Sequence, residues 1–206
     1  MQQILGLWIQ PNPTRVLQTP ARKSDPLERT DSELIQAIRN GDGPAADELV
    51  RRHLARVRNL VFQLVLNHDA ADDVTQDVFA RVLRGLPSFR GQSLFVTWLH
   101  RIAVNVSYAF LRQSGRRQSV PLPEESIDGA VSSPDSSLIE VEQKNRITVA
   151  LAQLTPQLRT AIVLTVMQGM SAIEAAEIEE CPVGTMYWRI HEARRRLRHE
   201  LKDWME

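Results

Sequence analysis

The residues best suited to chemistry lie in the last segment, CPVGTMYWRIHEARRRLRHEL, which runs from Cys181 to Leu201. Five of its 21 residues are arginines, whereas the whole chain has 25 basic and 25 acidic side chains and no formal net charge. Arginine neutralises nucleic-acid phosphates. A basic segment within a neutral chain indicates a local DNA-binding surface rather than a general attraction to polyanions.

A helical arrangement of this segment separates its apolar from its polar residues. At 100° per residue, the apolar stripe contains Met186, Ile190, Ala193, Leu197 and Leu201. The opposite face and one flank are polar or aromatic. The major groove admits one helix, which reads bases with the face opposite the core and contacts phosphates with its flanks. We therefore predict DNA contacts for Thr185, Trp188, Arg189, Glu192, Arg195 and Arg196.

A short helix and a tight break precede this basic helix. Ser171 is a suitable N-cap for SAIEAAEIEE, and Cys181-Pro182 interrupts the chain before the last helix. A short helix, a turn and a basic helix form a helix-turn-helix arrangement. The alternative is a solvated helix whose arginines only complement the helix dipole. The capped preceding helix and the Pro-Val-Gly-Thr break favour the DNA-binding interpretation.

The rest of the chain is also predicted to be helical. Apolar residues recur at helical spacing, and no strand pattern or internal repeat of any strength is present. A capping box at Thr30 and Glu33 starts the first predicted helix, and Gly41 ends it. The second has Pro44 in its first turn and runs to about Asn67, and the third runs from Asp69 to near Gly85. The fourth is capped by Ser93 and reaches about Gln113. Leu86–Gln92 is predicted to be a loop.

Composition divides the chain into parts. Residues 114–137, SGRRQSVPLPEESIDGAVSSPDSS, are rich in serine, proline and acid, which predicts a flexible linker. We expect an all-α protein with a flexible extension at residues 1–25, a helical domain at 26–113, and a helix-turn-helix domain at 138–206. A single cysteine, Cys181, together with no signal peptide or membrane span, predicts a cytoplasmic protein without membrane insertion.

Two long stretches resemble a known family. LTPQLRTAIVLTVMQGMSAIEAAEIEECPVGTMYWRIHEARRRLRHEL resembles region four of bacterial sigma factors, and AADDVTQDVFARVLRGLPSFRGQSLFVTWLHRIAVNVSYAFLRQSGRR resembles their region two. Their order, with a short linker between them, is that of the extracytoplasmic-function group. The resemblance covers roughly Asp31 to Leu201. It implies a transcription initiation factor that binds the clamp helices and the flap of core RNA polymerase, opens the minus-ten element and reads the minus-thirty-five element.

The resemblance also implies roles for residues in the first domain. It places polymerase contact on an exposed, acidic helix face that includes Asp73, Gln76 and Asp77. It places minus-ten recognition at Ser88, Phe89, Arg90, Asn105 and Arg112. Phe89 either stacks on an extruded base or fills the core of the domain. An anti-sigma protein is a further implied partner.

Several positions depart from the family pattern. Ala109 replaces a usual aspartate, and Glu180 replaces the glycine of the helix-turn-helix break. Glu180 would cost about 1 kcal/mol in a left-handed turn, so we expect the turn to differ. Ala175 and Glu179 replace apolar residues of the family, and we expect these two changes to reduce the apolar core of this domain. Trp188 replaces a small hydroxyl residue on the DNA face.

Other functions fit the sequence less well. A helical metal-dependent enzyme would need ligands repeated at i, i+3 or i+4 on facing helices, and the cluster of His68, Asp69, Asp72 and Asp73 lacks that pattern. His53 is expected to be a satisfied core residue and Cys181 a small filler. A helix-turn-helix regulator that is not a sigma factor leaves the first domain without a role. We therefore expect no catalysis, no metal and no cofactor.

Overall fold

The computed structural model describes residues 29–117 and 146–200, which contain helices, turns and loops but no strand. The first described range contains α1 (Asp31–Arg39), α2 (Gly43–Val65), α3 (His68–Gly85), a 3-10 turn (Leu86–Ser88) and α4 (Phe95–Arg117). The second contains a helical segment, α5, over residues 146–152, and then α6 (Pro156–Ile162), a π-helical turn (Val163–Met167), α7 (Ala172–Ile178) and α8 (Val183–Glu200). The predicted all-α fold is confirmed.

Several helix ends follow the local signals in the sequence. Thr30 and Glu33 form a complete capping box at the start of α1, and Gly41 takes a left-handed φ of 89° just after that helix. Ser171 and Glu174 form a second capping box at the start of α7. These short-range signals succeed because each cap depends only on residues three positions apart.

Helix α4 ends later than the sequence indicated. The sequence favoured an end near Gln113, but the helix continues to Arg117. The Ser114 hydroxyl donates to the Phe110 carbonyl across 3.1 Å, a bond within the helix. The first residues assigned to the linker are therefore helical. The rest of that segment, the extension at residues 1–25 and Leu201 lie outside the described residues.

The first region is a bundle of α1 to α4. Its core receives Val74, Val78 and Val82 from one face of α3 and Leu86 from the 3-10 turn that follows, as the helical spacing predicts. At Gly85 an added Cβ would lie 3.0 Å from Trp98 Cζ2, so glycine allows α3 and α4 to approach closely. His53 is buried and bonds through Nε2 to Asp31 Oδ2 at 2.9 Å, which confirms it as a satisfied core residue.

The second region packs α5 to α8 together and also packs against the first. Met186, Ile190, Ala193 and Leu197 of α8 are buried, as the helical wheel predicts. Buried residues of α7 and the first half of α8 belong to the same continuous apolar cluster as the core of α2, α3 and α4. A smaller cluster joins α5, α6 and the second half of α8.

Candidate nucleic-acid and polymerase interface

Helix α8 presents an aromatic side chain away from its core. Trp188 is 62% exposed, whereas Met186, two residues earlier, is fully buried. The turn before α8 has the left-handed geometry that glycine usually provides: Glu180 has a φ of 51°, and the Cys181 amide donates to the Ala176 carbonyl across 3.0 Å. Our expectation of a different turn was wrong: Glu180 adopts the left-handed conformation, and the backbone bond that closes such a helix end is made.

Three predicted DNA contacts form one ion-pair cluster on α8. The Glu192 carboxylate accepts from Arg195 Nε and Nη2 and from Arg196 Nε, each at 2.8 Å. These donors lower the pKa of Glu192 to about 2, so the carboxylate remains charged near neutral pH. Arg195 and Arg196 nevertheless stay exposed. The cluster holds two guanidinium groups side by side with a net charge of one, an arrangement suited to phosphate contact.

Arg189 lies in a different environment from the other predicted DNA contacts. Its Nη1 bonds to Glu179 Oε2 at 2.6 Å, and the two side chains are only 19% and 3% exposed. Glu179 Oε1 accepts from the Tyr108 hydroxyl of α4 at 2.8 Å. Burial raises the pKa of Glu179, while its bonds to Tyr108 and Arg189 act in the opposite direction. Arg189 therefore has a partner within the protein. Thr185 is partly buried near the start of the same helix.

Glu179 does not disturb the core as we expected from its polarity. Its carboxylate is buried because both oxygens have hydrogen-bond partners from other elements. Sequence reasoning missed its partner Tyr108, and it also missed Arg159, a buried arginine that donates to the Leu64 and Leu151 carbonyls at 2.6 and 3.0 Å. The acid at position 179 was a visible signal, but the sequence did not indicate its partner on α4.

The residues assigned to minus-ten recognition lie on the loop after α3 and on one helix. Ser88 and Arg90 are exposed on the loop, and Asn105 and Arg112 are exposed on α4. Phe89 is partly buried, with its ring centroid 5.0 Å from that of Trp98 and 6.0 Å from that of Phe95. Arg39 donates to the Phe89 carbonyl. Phe89 therefore fills an aromatic cluster at the edge of the core in this structure.

The predicted polymerase face is on α3. Asp73, Gln76 and Asp77 are exposed, on the side of the helix opposite the buried valines. The neighbouring Asp72 is instead bonded to Arg58 of α2, with Oδ2 3.2 Å from Nη2. Asp73 and Asp77 thus offer carboxylates on an exposed helix face, which suits a partner bearing arginine.

The acidic cluster that was considered as a metal site has other contacts. His68 stacks on Phe62 with ring centroids 4.1 Å apart, and Asp72 pairs with Arg58. Over the described ranges, no three histidine, cysteine or acidic residues are grouped so that they could hold a metal ion. Cys181 is partly buried and packs against the main apolar cluster. None of the described helices is both long and apolar enough to span a membrane.

These features are those of a protein with two helical regions. One region has a helix-turn-helix whose last helix is basic, and the other has a helix with an acidic face followed by an aromatic loop. Residues 49–117 match the family described as Sigma-70 region 2, and residues 144–197 match Sigma-70, region 4. The chain is 33% identical over 189 residues to the ECF RNA polymerase sigma-E factor of Haemophilus influenzae, with 85% of this chain and 97% of the relative covered.

Two further comparisons agree with these matches. The sigma-E factor of Escherichia coli K12 is 36% identical, with 80% of this chain and 91% of the relative covered. A solved structure of the sigma factor RpoE in complex with the anti-sigma factor NepR from Bartonella quintana matches with a TM-score of 0.62 at 28% identity, covering 76% of this chain and 96% of that one. The chain belongs to the extracytoplasmic-function sigma factors. It is a promoter-directing subunit of RNA polymerase and not an enzyme.

Proposed function

We propose that the chain binds core RNA polymerase through α3, engages the minus-ten element through the loop after α3 and through α4, and reads the minus-thirty-five element with α8. Its polymerase residues are Asp73, Gln76 and Asp77. Its minus-ten residues are Ser88, Phe89, Arg90, Asn105 and Arg112, and its minus-thirty-five residues are Thr185, Trp188, Arg189, Glu192, Arg195 and Arg196.

The observation that supports this proposal most strongly is the exposed face of α8. Trp188 and the Glu192–Arg195–Arg196 cluster project from the side opposite the buried stripe, so a groove can receive them without disturbing the core. Apolar contact distinguishes a thymine methyl group, and guanidinium groups bind phosphate. The reading helix therefore has both a base-reading part and a phosphate-binding part.

The minus-ten assignment is supported by the aromatic cluster beside the loop. Phe89 is held against Trp98 and Phe95 but remains partly exposed. A base extruded from the duplex needs a stacking surface and polar groups that contact its edge. Arg90 and Ser88 flank that ring on an exposed loop and can supply the polar groups.

The proposed partners also imply a location and a means of control. Core polymerase and promoter DNA are in the bacterial cytoplasm, so we place the chain there. The matched solved structure is a sigma factor bound to an anti-sigma factor. By that likeness, an anti-sigma protein is a proposed partner of this chain.

Replacing Asp73 with arginine and Gln76 with alanine tests polymerase binding. Reversing the charge on the exposed face of α3 is expected to weaken the affinity for core polymerase at least tenfold, because charge complementarity is lost. Fluorescence titration of labelled chain with core enzyme measures this affinity, and circular dichroism checks helical content. Asp47→Arg, an exposed charge reversal on α2, is the matched control. Unchanged affinity in the double variant would remove this face from the interface.

A further inference from the structure

Two adjacent aromatic side chains are exposed on the first half of α8. Tyr187 is 53% exposed and Trp188 is 62% exposed, and neither belongs to an apolar cluster of the described structure. Neighbouring exposed aromatic rings indicate a surface that another molecule covers. Tyr187 was not among the DNA contacts predicted from the sequence, although it immediately precedes Trp188.

The space beside these rings is open. Gly184 lies one turn before Trp188 and is exposed, and a Cβ added at this position would have no neighbour within 4 Å. Its backbone φ is not left-handed, so neither packing nor conformation within the described structure requires glycine there. A residue without a side chain lets a partner approach the helix closely.

Arg189 is the one arginine in the first half of α8, and it already has a partner. Its side chain is only 19% exposed, and its Nη1 bonds to Glu179 Oε2 at 2.6 Å. Both residues belong to the second region, so this ion pair does not depend on how that region packs against the first. An arginine reads guanine through two hydrogen bonds from its guanidinium group. The first half of α8 therefore lacks an arginine free for that contact.

The exposed arginines lie in the second half of the helix. Arg195, Arg196 and Arg198 are exposed, and Glu192 holds the first two side by side. In a helix-turn-helix the first residues of the reading helix contact base edges, and guanidinium groups bind phosphate. Base-reading and phosphate-binding side chains are thus separated along α8, with two aromatic rings in the base-reading half.

We propose that Tyr187 is a second base-reading residue and that it selects thymine together with Trp188: each ring contacts the C5-methyl group of an A·T pair in the minus-thirty-five element. This methyl group lies in the major groove, where apolar side chains contact it. Arg189 stays bonded to Glu179, so it positions the start of α8 and does not read a base. The proposal rests on the proposed function, the reading of the minus-thirty-five element by α8, and changes the role of Arg189 within it.

Deoxyuridine in place of thymine tests the proposal, because it removes only the C5-methyl group. Holoenzyme formed from core RNA polymerase and the full chain first selects promoters from a random duplex pool. Each thymine of the selected minus-thirty-five element is then replaced in turn, and fluorescence titration measures the affinity of the holoenzyme. We expect at least two replacements to reduce the affinity about fourfold each, the scale of burying one methyl group.

Two variants show which ring contacts which methyl group. Tyr187→Ala should abolish the effect of deoxyuridine at one thymine and keep it at another, whereas the Tyr187→Ala, Trp188→Ala double variant should respond at neither. Val149→Ala, which removes an exposed apolar side chain from α5, is the control and should respond as the original chain does. The affinities for thymine and deoxyuridine are compared within each variant, so a general loss of binding does not alter the result.

Arg189→Gln tests the role of the arginine. Glutamine keeps a donor beside Glu179, but in the groove it pairs with adenine and not with guanine. We expect the selected minus-thirty-five sequence to be unchanged. A change from guanine to adenine at one position would show that Arg189 reads that base, and it would overturn the proposal.

The outcomes separate this proposal from the proposed function. Equal affinities for thymine and deoxyuridine throughout the element, or an element without thymine, would overturn the thymine readout while leaving α8 as the reading helix. A double variant with the responses of the original chain would overturn it as well, since the exposed rings would then serve a protein partner and not DNA. A holoenzyme that selects no minus-thirty-five element would contradict the proposed function and this inference with it.

Discussion

Trp188 is the residue for which we propose the largest effect on promoter choice. It is 62% exposed on the side of α8 opposite a fully buried Met186, so it cannot enter that core unless the helix rotates. Arg195 and Arg196 lie about two turns further along the same helix and are also exposed. An indole beside guanidinium groups suits a groove in which thymine methyl groups are near phosphates.

Replacing Trp188 with serine should therefore change which minus-thirty-five sequence is preferred. We expect the indole to contact base edges and Arg196 to contact phosphate. Arg196→Ala should weaken binding to all sequences alike and reduce the salt slope of affinity by about 1. Selection of binding sites from a random duplex pool, followed by salt titration, measures both effects. If Trp188→Ser keeps the original preference, Trp188 does not read bases.

Helix α4 contains a buried histidine whose pKa is strongly shifted. His100 is buried, and neither of its ring nitrogens has a hydrogen-bond partner within the described structure. Burial, with smaller effects from Arg56 and His53, lowers its pKa from 6.5 to about 4. The folded state therefore keeps His100 neutral down to about pH 4, whereas the unfolded chain takes up a proton below about pH 6.5.

This difference predicts acid-sensitive stability. Because the unfolded state binds the proton first, stability from His100 is complete above pH 6.5 and falls as the pH drops towards 4, by about 3 kcal/mol across the window. His100→Leu should remove that part of the pH dependence while changing stability little at pH 7.5. Urea unfolding at several pH values measures it, with the exposed His191→Gln as control. Parallel stability curves for His100→Leu and the original chain would contradict this account.

At the scale of helices, the sequence predicted what local chemistry decides. The capping boxes at Thr30 and Ser171 and the buried face of α8 follow from residues three or four apart. Contacts between distant residues were not predicted: Tyr108 meets Glu179 across 71 positions. Glu180 shows the same limit, because its departure from glycine was visible, but its partner Arg101 was not.

In the candidate site, too, the sequence predicted which side chains are exposed but not which residues they bond to in other elements. Wheel positions identified Trp188, Arg195 and Arg196 as exposed, and the structure places them so. They did not indicate that Arg189 is bonded to a buried carboxylate, because that bond depends on how the turn after α7 packs against α8. Phe89 was open between two roles, and its contacts with Trp98 and Phe95 favour the core position in the free chain.

At the scale of the whole molecule, the two regions make one continuous core in this structure. Their proposed DNA contacts lie on two different elements, α4 with its preceding loop and α8.

The most direct test of the central claim is transcription in a purified system. Core RNA polymerase from the source bacterium, its genomic DNA and this chain would be combined, and all transcript 5′ ends would be mapped. We predict a limited set of starts absent with core enzyme alone, which share one minus-ten and one minus-thirty-five sequence and are lost with the Asp73→Arg, Gln76→Ala variant. Starts indistinguishable from those of core enzyme alone would contradict the assignment of this chain as a promoter-directing subunit.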